Sequence, residues 1–549
     1  MVILRLMLYV LLCAPLLAAQ QNGSPASPQE NFRIAGTAVS ASTGQFLGEA
    51  QITIVNVHRP GIVQNFTTAA DGHFHFEGLQ AGKYFLTAQR RGFSQQSYQE
   101  HFQFSTAIAV GPGKNSENIL FRLRPDASLT GTITDEAGEP VRTGTVMLFR
   151  QGNENGNEQV SRANEVTTDD QGHYLFGHLR PGTYFVVVVA QPWYAVPTQV
   201  RYRSVKRADG GMSMVPEMPD DNSRSPLDVA YPITYYPGVT DPAQSTPITV
   251  KTGERADADV ALSAEPAVHL RIATGGSGAP GIGASLSQTV FGQFPVPVPG
   301  ASFSVQAGET QVSGAAPGNY TLTMNSYGKD SHTWSREVNL SENTTVASSG
   351  ANAAVISGVV AVDGQPPPSN ALVQLVDRTA YSVMSAQVSA KGEFHIDAPA
   401  GTHGDYQVYV GNVPRAVVTG LLASGATAGP STVNLRPGAN VQLAISMSSA
   451  LGQVDGVAEF DGKPQGGAMI VLVPANPDAN IALFRRDQSD SDGTFTLFSV
   501  VPGKYTLLAL ADGWDLEWNK ASVLKPYMDF GQTLEISPRG KYQVKLKVQ

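Results

Sequence analysis

Closely spaced histidines are the first residues in this sequence that could do chemistry. His73 and His75 lie two residues apart in "DGHFHF", and His58 is a short distance upstream. Alternate residues of a β-strand point to the same face, so the two imidazoles could bind one metal ion. A closed zinc site needs about four ligands, however, and the neighbouring sequence supplies no others.

An acidic run is the second candidate. The stretch "DQSDSDG" places Asp487, Asp490 and Asp492 close together, and several oxygen ligands in one loop suit calcium. The run lacks the glutamate that closes an EF-hand loop. Asp and Ser before Gly also initiate tight turns, so the sequence allows a calcium loop or a simple turn and favours the turn.

Catalytic motifs are missing from the sequence. There is no Gly-x-Ser-x-Gly, His-Glu-x-x-His or phosphate-binding Gly-rich loop, and the ten histidines are scattered. Two carboxylates of a glycosidase could still meet in space, but small regular domains leave little room for a deep cleft. We therefore expect a protein that is not an enzyme, with no catalytic, cofactor-binding or metal-binding residues.

The closely spaced histidines lie in a sequence motif that recurs along the chain, and the acidic run leads directly into another copy of it. A Gly is followed by alternating polar and aromatic residues, and ten residues later by a second Gly that comes two residues before a Tyr. Clear copies begin at Gly72, Gly172 and Gly493, and weaker copies surround Tyr320 and Tyr406. The alternation predicts strands with one apolar face and one solvated face. In the other copies the positions of the two closely spaced histidines are held by His173 and Leu175, Glu393 and His395, or Thr494 and Thr496.

Because these positions accept Leu, Glu and Thr as well as His, the sequence indicates a solvated strand face rather than a metal site.

In the same repeat, the Pro-Gly pair before the tyrosine suits a type II turn, which requires a left-handed glycine. We therefore expect a positive φ at Gly182 and at its counterparts Gly82 and Gly503. The tyrosine that follows, Tyr184 in the second copy, should bury its ring and pair its hydroxyl with nearby backbone.

The repeats predict an all-β fold. Their period of about a hundred residues is typical of a tandem array of about five antiparallel Ig-like β-sandwich domains. The 55 Gly and 36 Pro among 549 residues agree with many short strands and turns. The joints are short, which predicts an elongated string. The expected divisions are a signal peptide at 1–19, a disordered linker at 20–30, and sandwiches at 31–125, 126–265, 266–350, 351–448 and 449–549, the third of them divergent.

The motif resembles a known family. The order of an opening Gly, then Asp-Gly-x-Phe-x-Phe, then Pro-Gly-x-Tyr is similar to the carboxypeptidase regulatory-like domain family. The resemblance implies a transthyretin-like or starch-binding-like β-sandwich that carries no catalytic residues and is common in secreted and outer-envelope bacterial proteins. Some members of the wider fold bind carbohydrate through exposed aromatic residues, so the resemblance permits sugar binding.

The N-terminal residues and the net charge indicate the localisation of the protein and the class of partner that it binds. Residues 1–19 combine Arg5 with an apolar stretch and small residues, as in a secretory signal peptide, although a membrane anchor is the alternative. No later stretch is long enough to span a membrane. Cys13 is the only cysteine, so the mature chain has no disulfide. The net charge of −9 gives no basic face for nucleic acid, which we do not expect as a partner.

A long insert in the second domain is the main departure from the repeat. Residues 191–247 are rich in Pro and aromatic residues, and long loops are often functional or disordered. These aromatic residues could form a stacking surface for a ligand, or Tyr235 and Tyr236 could belong to a strand that returns to the core. A second aromatic cluster lies in "ADGWDLEWNK". The candidate ligand-binding or partner-binding residues are therefore Trp193, Tyr194, Tyr235, Tyr236, Trp514 and Trp518.

The sequence thus predicts an exported, non-catalytic binding or scaffold protein, secreted or held in the periplasm or outer envelope of a bacterium. Carbohydrate or an envelope protein are its expected partners. One alternative is an array of carbohydrate-binding modules. The other is an accessory subunit of a surface or transport assembly, whose exposed edge strands would receive a partner strand.

Overall fold

The computed structural model describes residues 31–549 except 115, 155, 197–200, 207–209, 218–224, 274–281, 293, 299–301, 307–308, 327–332, 348–352, 378–381, 401, 430 and 479. The predicted signal peptide at 1–19 and linker at 20–30 lie outside the described residues. Within them, no helix has the length and apolar character needed to cross a membrane.

The chain folds into five β-sandwiches, each with two main sheets, which confirms the predicted all-β fold class. Domain 1 contains β1 (Phe32–Ser40), β2 (Gln51–Asn56), β3 (Val63–Thr67), β4 (His73–Leu79), β5 (Gly82–Arg90), β6 (Phe93–Ser97), β7 (Ile108–Val110) and β8 (Ile119–Leu123). Domain 2 contains β9 (Ala127–Thr134), β10 (Thr145–Glu154), β11 (Asn157–Thr167), β12 (His173–Leu179), β13 (Gly182–Val189), β14 (Arg201–Lys206), β15 (Met212–Glu217), β16 (Val229–Ala230), β17 (Thr234–Tyr235), β18 (Ile248–Val250), β19 (Arg255–Asp257), β20 (Val260–Ala261) and β21 (Glu265–Pro266), with a 3-10 helix at Pro242–Gln244.

The last three domains follow in order along the chain. Domain 3 contains β22 (Val268–Ala273), β23 (Ile282–Val290), β24 (Phe294–Pro297), β25 (Ser302–Gln306), β26 (Glu309–Ala315), β27 (Gly318–Ser326), β28 (Thr333–Leu340) and β29 (Thr344–Ala347). Domain 4 contains β30 (Ala353–Val362), β31 (Leu372–Asp377), β32 (Ser382–Gln387), β33 (Glu393–Ala400), β34 (Gly404–Gly411), β35 (Val417–Ser424), β36 (Thr427–Ala428), β37 (Thr432–Leu435) and β38 (Asn440–Ser448). Domain 5 contains β39 (Gly452–Phe460), β40 (Lys463–Pro464), β41 (Met469–Pro474), β42 (Arg485–Gln488), β43 (Thr494–Val500), β44 (Gly503–Leu510), α1 (Ala521–Met528), β45 (Gln532–Ile536) and β46 (Lys541–Lys547), with a 3-10 helix at Ile481–Leu483.

The five domains share one strand order. The first strand of each domain pairs antiparallel with the strand of the repeated motif and parallel with a strand near the end of the domain. In domain 1, β1 lies between β4 and β8 in this way. The same arrangement places β9 between β12 and β19, β22 between β26 and β29, β30 between β33 and β38, and β39 between β43 and β46.

The alternation of the motif explains which side chains form the core. In β4, Phe74 and Phe76 are buried, whereas His73 and His75, which alternate with them, are exposed. The second sheet of each domain covers the buried face, so every second residue of the motif strand contributes to the core.

The tyrosine of the motif has the same environment in four domains. Its ring is almost fully buried, and its hydroxyl donates a hydrogen bond to the backbone carbonyl four residues earlier in the chain. This confirms the predicted placement of the ring and the hydroxyl. The donor and acceptor pairs are Tyr84 and Gln80 (3.0 Å), Tyr184 and Arg180 (2.7 Å), Tyr320 and Ala316 (2.5 Å), and Tyr505 and Val501 (2.7 Å).

The expected left-handed glycine before this tyrosine is not found at Gly182. Gly182 begins β13 outside the positive-φ range, whereas Gly82 and Gly503 have the expected positive φ, at 156° rather than the roughly 80° of a type II turn. The left-handed turn lies at the first glycine of the motif instead, with φ 74° at Gly172. The prediction was wrong at Gly182, because the chain enters β13 already extended and makes its tight turn ten residues earlier.

Part of the long insert of domain 2 belongs to the sandwich. β14 and β15 form a separate antiparallel hairpin, whereas β17 pairs with β13 and β16 pairs with β21. Tyr235, which lies in β17, is 3% exposed. Residues 197–200, 207–209 and 218–224 of the insert lie outside the described residues.

The domains do not form the simple string that the short joints predicted. Domain 5 returns to contact domain 1, where Lys114 pairs with Asp492 at 2.7 Å. It also contacts domain 2, where the Asn153 side chain donates a hydrogen bond to the Asp515 carbonyl at 3.3 Å. Domain 3 packs on the outer sheet face of domain 2, with Phe149 and Phe291 rings 5.2 Å apart. The short joints predicted an elongated string, but side-chain contacts bring domains that are distant in sequence together.

Candidate ligand-binding groove

A groove lies where domain 2 meets domain 3. It has a volume of about 1170 Å³ and opens beside the first residues of the insert. Its floor is mainly apolar, because the outer face of the domain 2 sheet continues into it from the contact with domain 3. The floor and walls include Val141, Met147, Val189, Pro192, Pro295 and Val296.

Trp193 stands at this groove and is the most exposed large apolar side chain of the described residues, at 84%. The neighbouring Tyr194 ring is perpendicular to it, with the centroids 5.8 Å apart. The Tyr194 hydroxyl donates a hydrogen bond to the Glu136 carboxylate. Burial and the nearby Glu136 carboxylate raise the pKa of Tyr194 to about 12, so its hydroxyl stays a donor at neutral pH. Tyr194 therefore fixes the loop that presents the Trp193 ring.

Charged side chains surround the apolar floor. Arg162 and Glu165 form an exposed ion pair on β11, and Arg142 and Glu139 lie on the loop before β10. An exposed ion pair of this kind contributes little to stability, so its groups can exchange partners with a ligand at low cost. The groove thus combines an aromatic face, an apolar floor and hydrogen-bonding groups of both signs, the usual composition of a small-molecule site.

The other predicted ligand residues do not lie at this groove. Tyr235 is buried in the contact between domains 2 and 3, and Tyr236 is half-buried against the core of domain 2. Trp514 is 3% exposed and stacks on His101 of domain 1, with the ring centroids 4.6 Å apart. Buried rings such as Tyr235 and Trp514 have no free face for a ligand.

Trp518 is half-buried and covered by a cation. The guanidinium carbon of Arg486 lies 4.4 Å from its ring centroid and 5.0 Å from the ring centroid of Phe104 in domain 1. Burial lowers the pKa of Arg486 to about 10, which still leaves it charged at neutral pH. The second aromatic cluster, which contains Trp514 and Trp518, therefore joins domain 5 to domain 1.

The acidic run forms a turn whose carboxylates already have partners. Asp490 pairs with Lys83 and also accepts the backbone N–H of Ala107 at 2.9 Å, while Asp492 pairs with Lys114. Burial favours the neutral form of Asp492, but hydrogen bonds from Lys114 and Thr494 outweigh it and lower its pKa. Within the described parts of the chain, no three His, Cys, Asp or Glu side chains are placed to hold a metal ion.

Removing divalent cations should therefore leave the stability of the protein unchanged. The oxygens of Asp490 and Asp492 are occupied by lysines and backbone amides, so a calcium ion would have to displace two ion pairs. The measurement is the melting temperature of the full chain with and without EDTA. A drop of several degrees in EDTA would contradict this prediction and make the turn a calcium loop.

Sequence reasoning did not find the charged residues of the groove or the domain 1 residues that meet domain 5. Arg162 and Glu165 look like ordinary polar residues of an exposed strand. His101 and Lys83 lie 387 and 407 positions from their domain 5 partners, and no local pattern signals such a contact. Only the exposed Trp193 carried a sequence signal, as an aromatic residue in a Pro-rich insert.

Several solved structures show a weak likeness to this chain. The TIE protein of Bacillus anthracis is 12% identical, with 95% of this chain and 75% of that chain covered and a TM-score of 0.16. The minor pilin GBS52 of Streptococcus agalactiae is 13% identical, with coverage of 43% and 96% and a TM-score of 0.21. The shaft pilin SpaA of Lactobacillus rhamnosus GG is 11% identical, with coverage of 42% and 98% and a TM-score of 0.18.

The sequence itself matches one family model. No curated protein matches the chain significantly. The model of the carboxypeptidase regulatory-like domain matches twice, at residues 33–124 and 128–208. These two matches cover domain 1 and the first part of domain 2, including the motif strands β4 and β12 and the tyrosines Tyr84 and Tyr184. The chain therefore carries two carboxypeptidase regulatory-like domains, both within residues 33–208.

Proposed function

We propose that the chain is an exported, non-catalytic binding or scaffold protein of the bacterial envelope. The observation that carries this proposal is how the repeated residues are used. Phe74, Tyr84 and their counterparts are buried, and the Tyr84 hydroxyl donates to backbone, so the motif stabilises the fold and contributes no reactive group. The exposed Trp193 beside an apolar groove is the feature left for recognition.

Carbohydrate is the ligand that this groove suits best. The face of a pyranose ring carries C–H groups that pack on an indole, and its edge carries hydroxyls that need donors and acceptors. Trp193 offers the first kind of surface, and Arg162 and Glu165 at the groove offer the second. The proposed function is therefore a sugar-binding scaffold.

Replacing Trp193 with Ala should weaken binding to the best ligand of a glycan array by about thirtyfold or more, because losing a central aromatic contact costs about 2 kcal/mol or more. Folding should be unaffected, since the ring is 84% exposed. The measurement is the dissociation constant of the full chain for that glycan, together with the melting temperature.

Two matched variants make this experiment specific. Trp193→Phe keeps a ring at the groove and should retain part of the affinity. Tyr409→Ala removes another exposed aromatic side chain, in domain 4, and should change nothing. Equal loss in Trp193→Ala and Tyr409→Ala, or full affinity in Trp193→Ala, would show that the groove is not the site.

An accessory subunit of an envelope assembly is the second candidate. β11 is the edge strand of a domain 2 sheet, and an edge strand can pair with a strand of another protein. Capture from solubilised native envelope distinguishes the two functions. Recovery of a defined protein complex, with no glycan bound on the array, would favour the assembly subunit.

A further inference from the structure

The contact between domains 1 and 5 resembles a peptide bound at a sheet edge. The backbone N–H of Ser491 donates to the Ala107 carbonyl at 3.0 Å. In return, the N–H groups of Ala107 and Ala109 donate to the Asp490 carboxylate at 2.9 Å and the Ser491 hydroxyl at 2.8 Å. Ala107 and Ala109 lie next to and within β7, so the turn of domain 5 satisfies main-chain groups of a domain 1 strand.

Two lysines of domain 1 form ion pairs with the acidic side chains of this turn. Lys83 on β5 contacts Asp490, and Lys114 after β7 contacts Asp492 at 2.7 Å. The two carboxyl side chains are 16% and 12% exposed, so both ion pairs are largely removed from water on the acidic side. Burial raises the pKa of Asp490, and the neighbouring Lys83 opposes that rise. The turn is therefore matched to domain 1 in charge as well as in backbone geometry.

A buried polar network completes the contact. The Gln488 side chain donates to the Gln99 carbonyl and to the Thr106 hydroxyl, each at 2.8 Å. Gln488 is 3% exposed and Thr106 is 1% exposed. Buried polar groups that find partners of this kind require a well-defined fit between the two surfaces.

We propose that the edge of domain 1 at β7, flanked by Lys83 and Lys114, is a binding site for an acidic Asp-Ser-Asp turn. Domain 5 occupies the site within the same chain. If domain 5 moves away, the site presents unpaired main-chain groups between two lysines and accepts an acidic peptide segment from a partner. This inference does not depend on the proposed sugar-binding function, because the groove lies elsewhere.

Charge reversal at one ion pair tests the site. Lys83→Asp and Asp490→Lys each place like charges in a half-buried contact, which is strongly unfavourable. Each single variant of the full chain should open the contact and raise the radius of gyration in small-angle scattering. The double variant K83D/D490K restores opposite charges and should return the radius of gyration to the parent value.

Peptide binding then tests the chemistry of the partner. The probe is a synthetic peptide with the sequence of residues 487–493, "DQSDSDG". The opened Asp490→Lys chain, which retains Lys83 and Lys114, should bind this peptide, whereas the parent chain should not. A peptide with Asn in place of the second and third Asp should bind at least tenfold more weakly.

The controls separate this proposal from a general effect on folding. Lys504→Asp makes the same charge change at an exposed lysine of domain 5 and should leave the radius of gyration unchanged. Circular dichroism reports whether each variant is folded, and the double variant remains informative if a single variant is not. The proposal is overturned if the single reversals stay as compact as the parent or if the opened chain does not bind the acidic peptide.

Discussion

Replacing Tyr184 with Ala should lower the free energy of unfolding of domain 2 by about 3–5 kcal/mol, the usual cost of deleting a large core aromatic. The Tyr184 ring is 2% exposed, and its hydroxyl donates to the Arg180 carbonyl at 2.7 Å. The substitution removes the packing of the ring and leaves the carbonyl without its donor. Hydrogen–deuterium exchange of the β12 and β13 peptides at increasing urea concentration measures this domain separately from the other four.

The conservative variant Tyr184→Phe divides the effect into its two parts. It keeps the ring and should cost only about 1 kcal/mol, the typical contribution of one hydrogen bond. If Tyr184→Ala unfolded at the parent urea concentration but lost ligand binding, the motif would be a recognition site and the structural role assigned to it would be wrong.

Replacing Gly172 with Ala should lower the free energy of unfolding of domain 2 by about 2–4 kcal/mol. Gly172 has a φ of 74°, which costs an alanine about 1–2 kcal/mol. In addition, a Cβ at this position would lie 2.5 Å from the backbone carbonyl oxygen of Ile133, so the turn must shift away from β9. The same exchange measurement on the β12 peptide reports the loss.

The second glycine of the same repeat is the matched control. Gly182 lies outside the left-handed range, and the nearest atom to an added Cβ is the Arg150 Nε, at 3.0 Å. That atom belongs to a long side chain that can move, so Gly182→Ala should cost far less than Gly172→Ala. Equal losses in the two variants would contradict the assignment of the tight turn to Gly172.

The repeated motif made the fold predictable because it is local. The alternation around Phe74 and Phe76 indicates which strand face is buried, and the motif tyrosine marks the start of the next core strand. The conformation of Gly182 was not predictable in the same way. A Pro-Gly pair is compatible with a type II turn and with an extended entry into a strand, and the pairing of Gly182 with Val250 of β18 decides between them.

The candidate sites were less predictable because they depend on packing between domains. Trp193 and Tyr235 belong to the same Pro-rich insert, yet one ring is 84% exposed and the other 3%. Domain 3 covers Tyr235 and leaves Trp193 free, and no pattern within the insert reports this difference. The pairing of Lys83 with Asp490 joins residues 407 positions apart, beyond the reach of any local rule.

Because domain 5 packs on domain 1, the β7 edge of domain 1 is covered only after the last domain has been synthesised. Domains generally fold as units in the order of synthesis, N-terminal first. Domain 1 can therefore fold before its partner turn at residues 487–492 has been synthesised. Its β7 edge then stays uncovered while domains 2, 3 and 4 are synthesised. An edge strand left uncovered is a template for pairing with other chains. Chains that stop before domain 5 should therefore aggregate through domain 1, even though every residue of that domain is present.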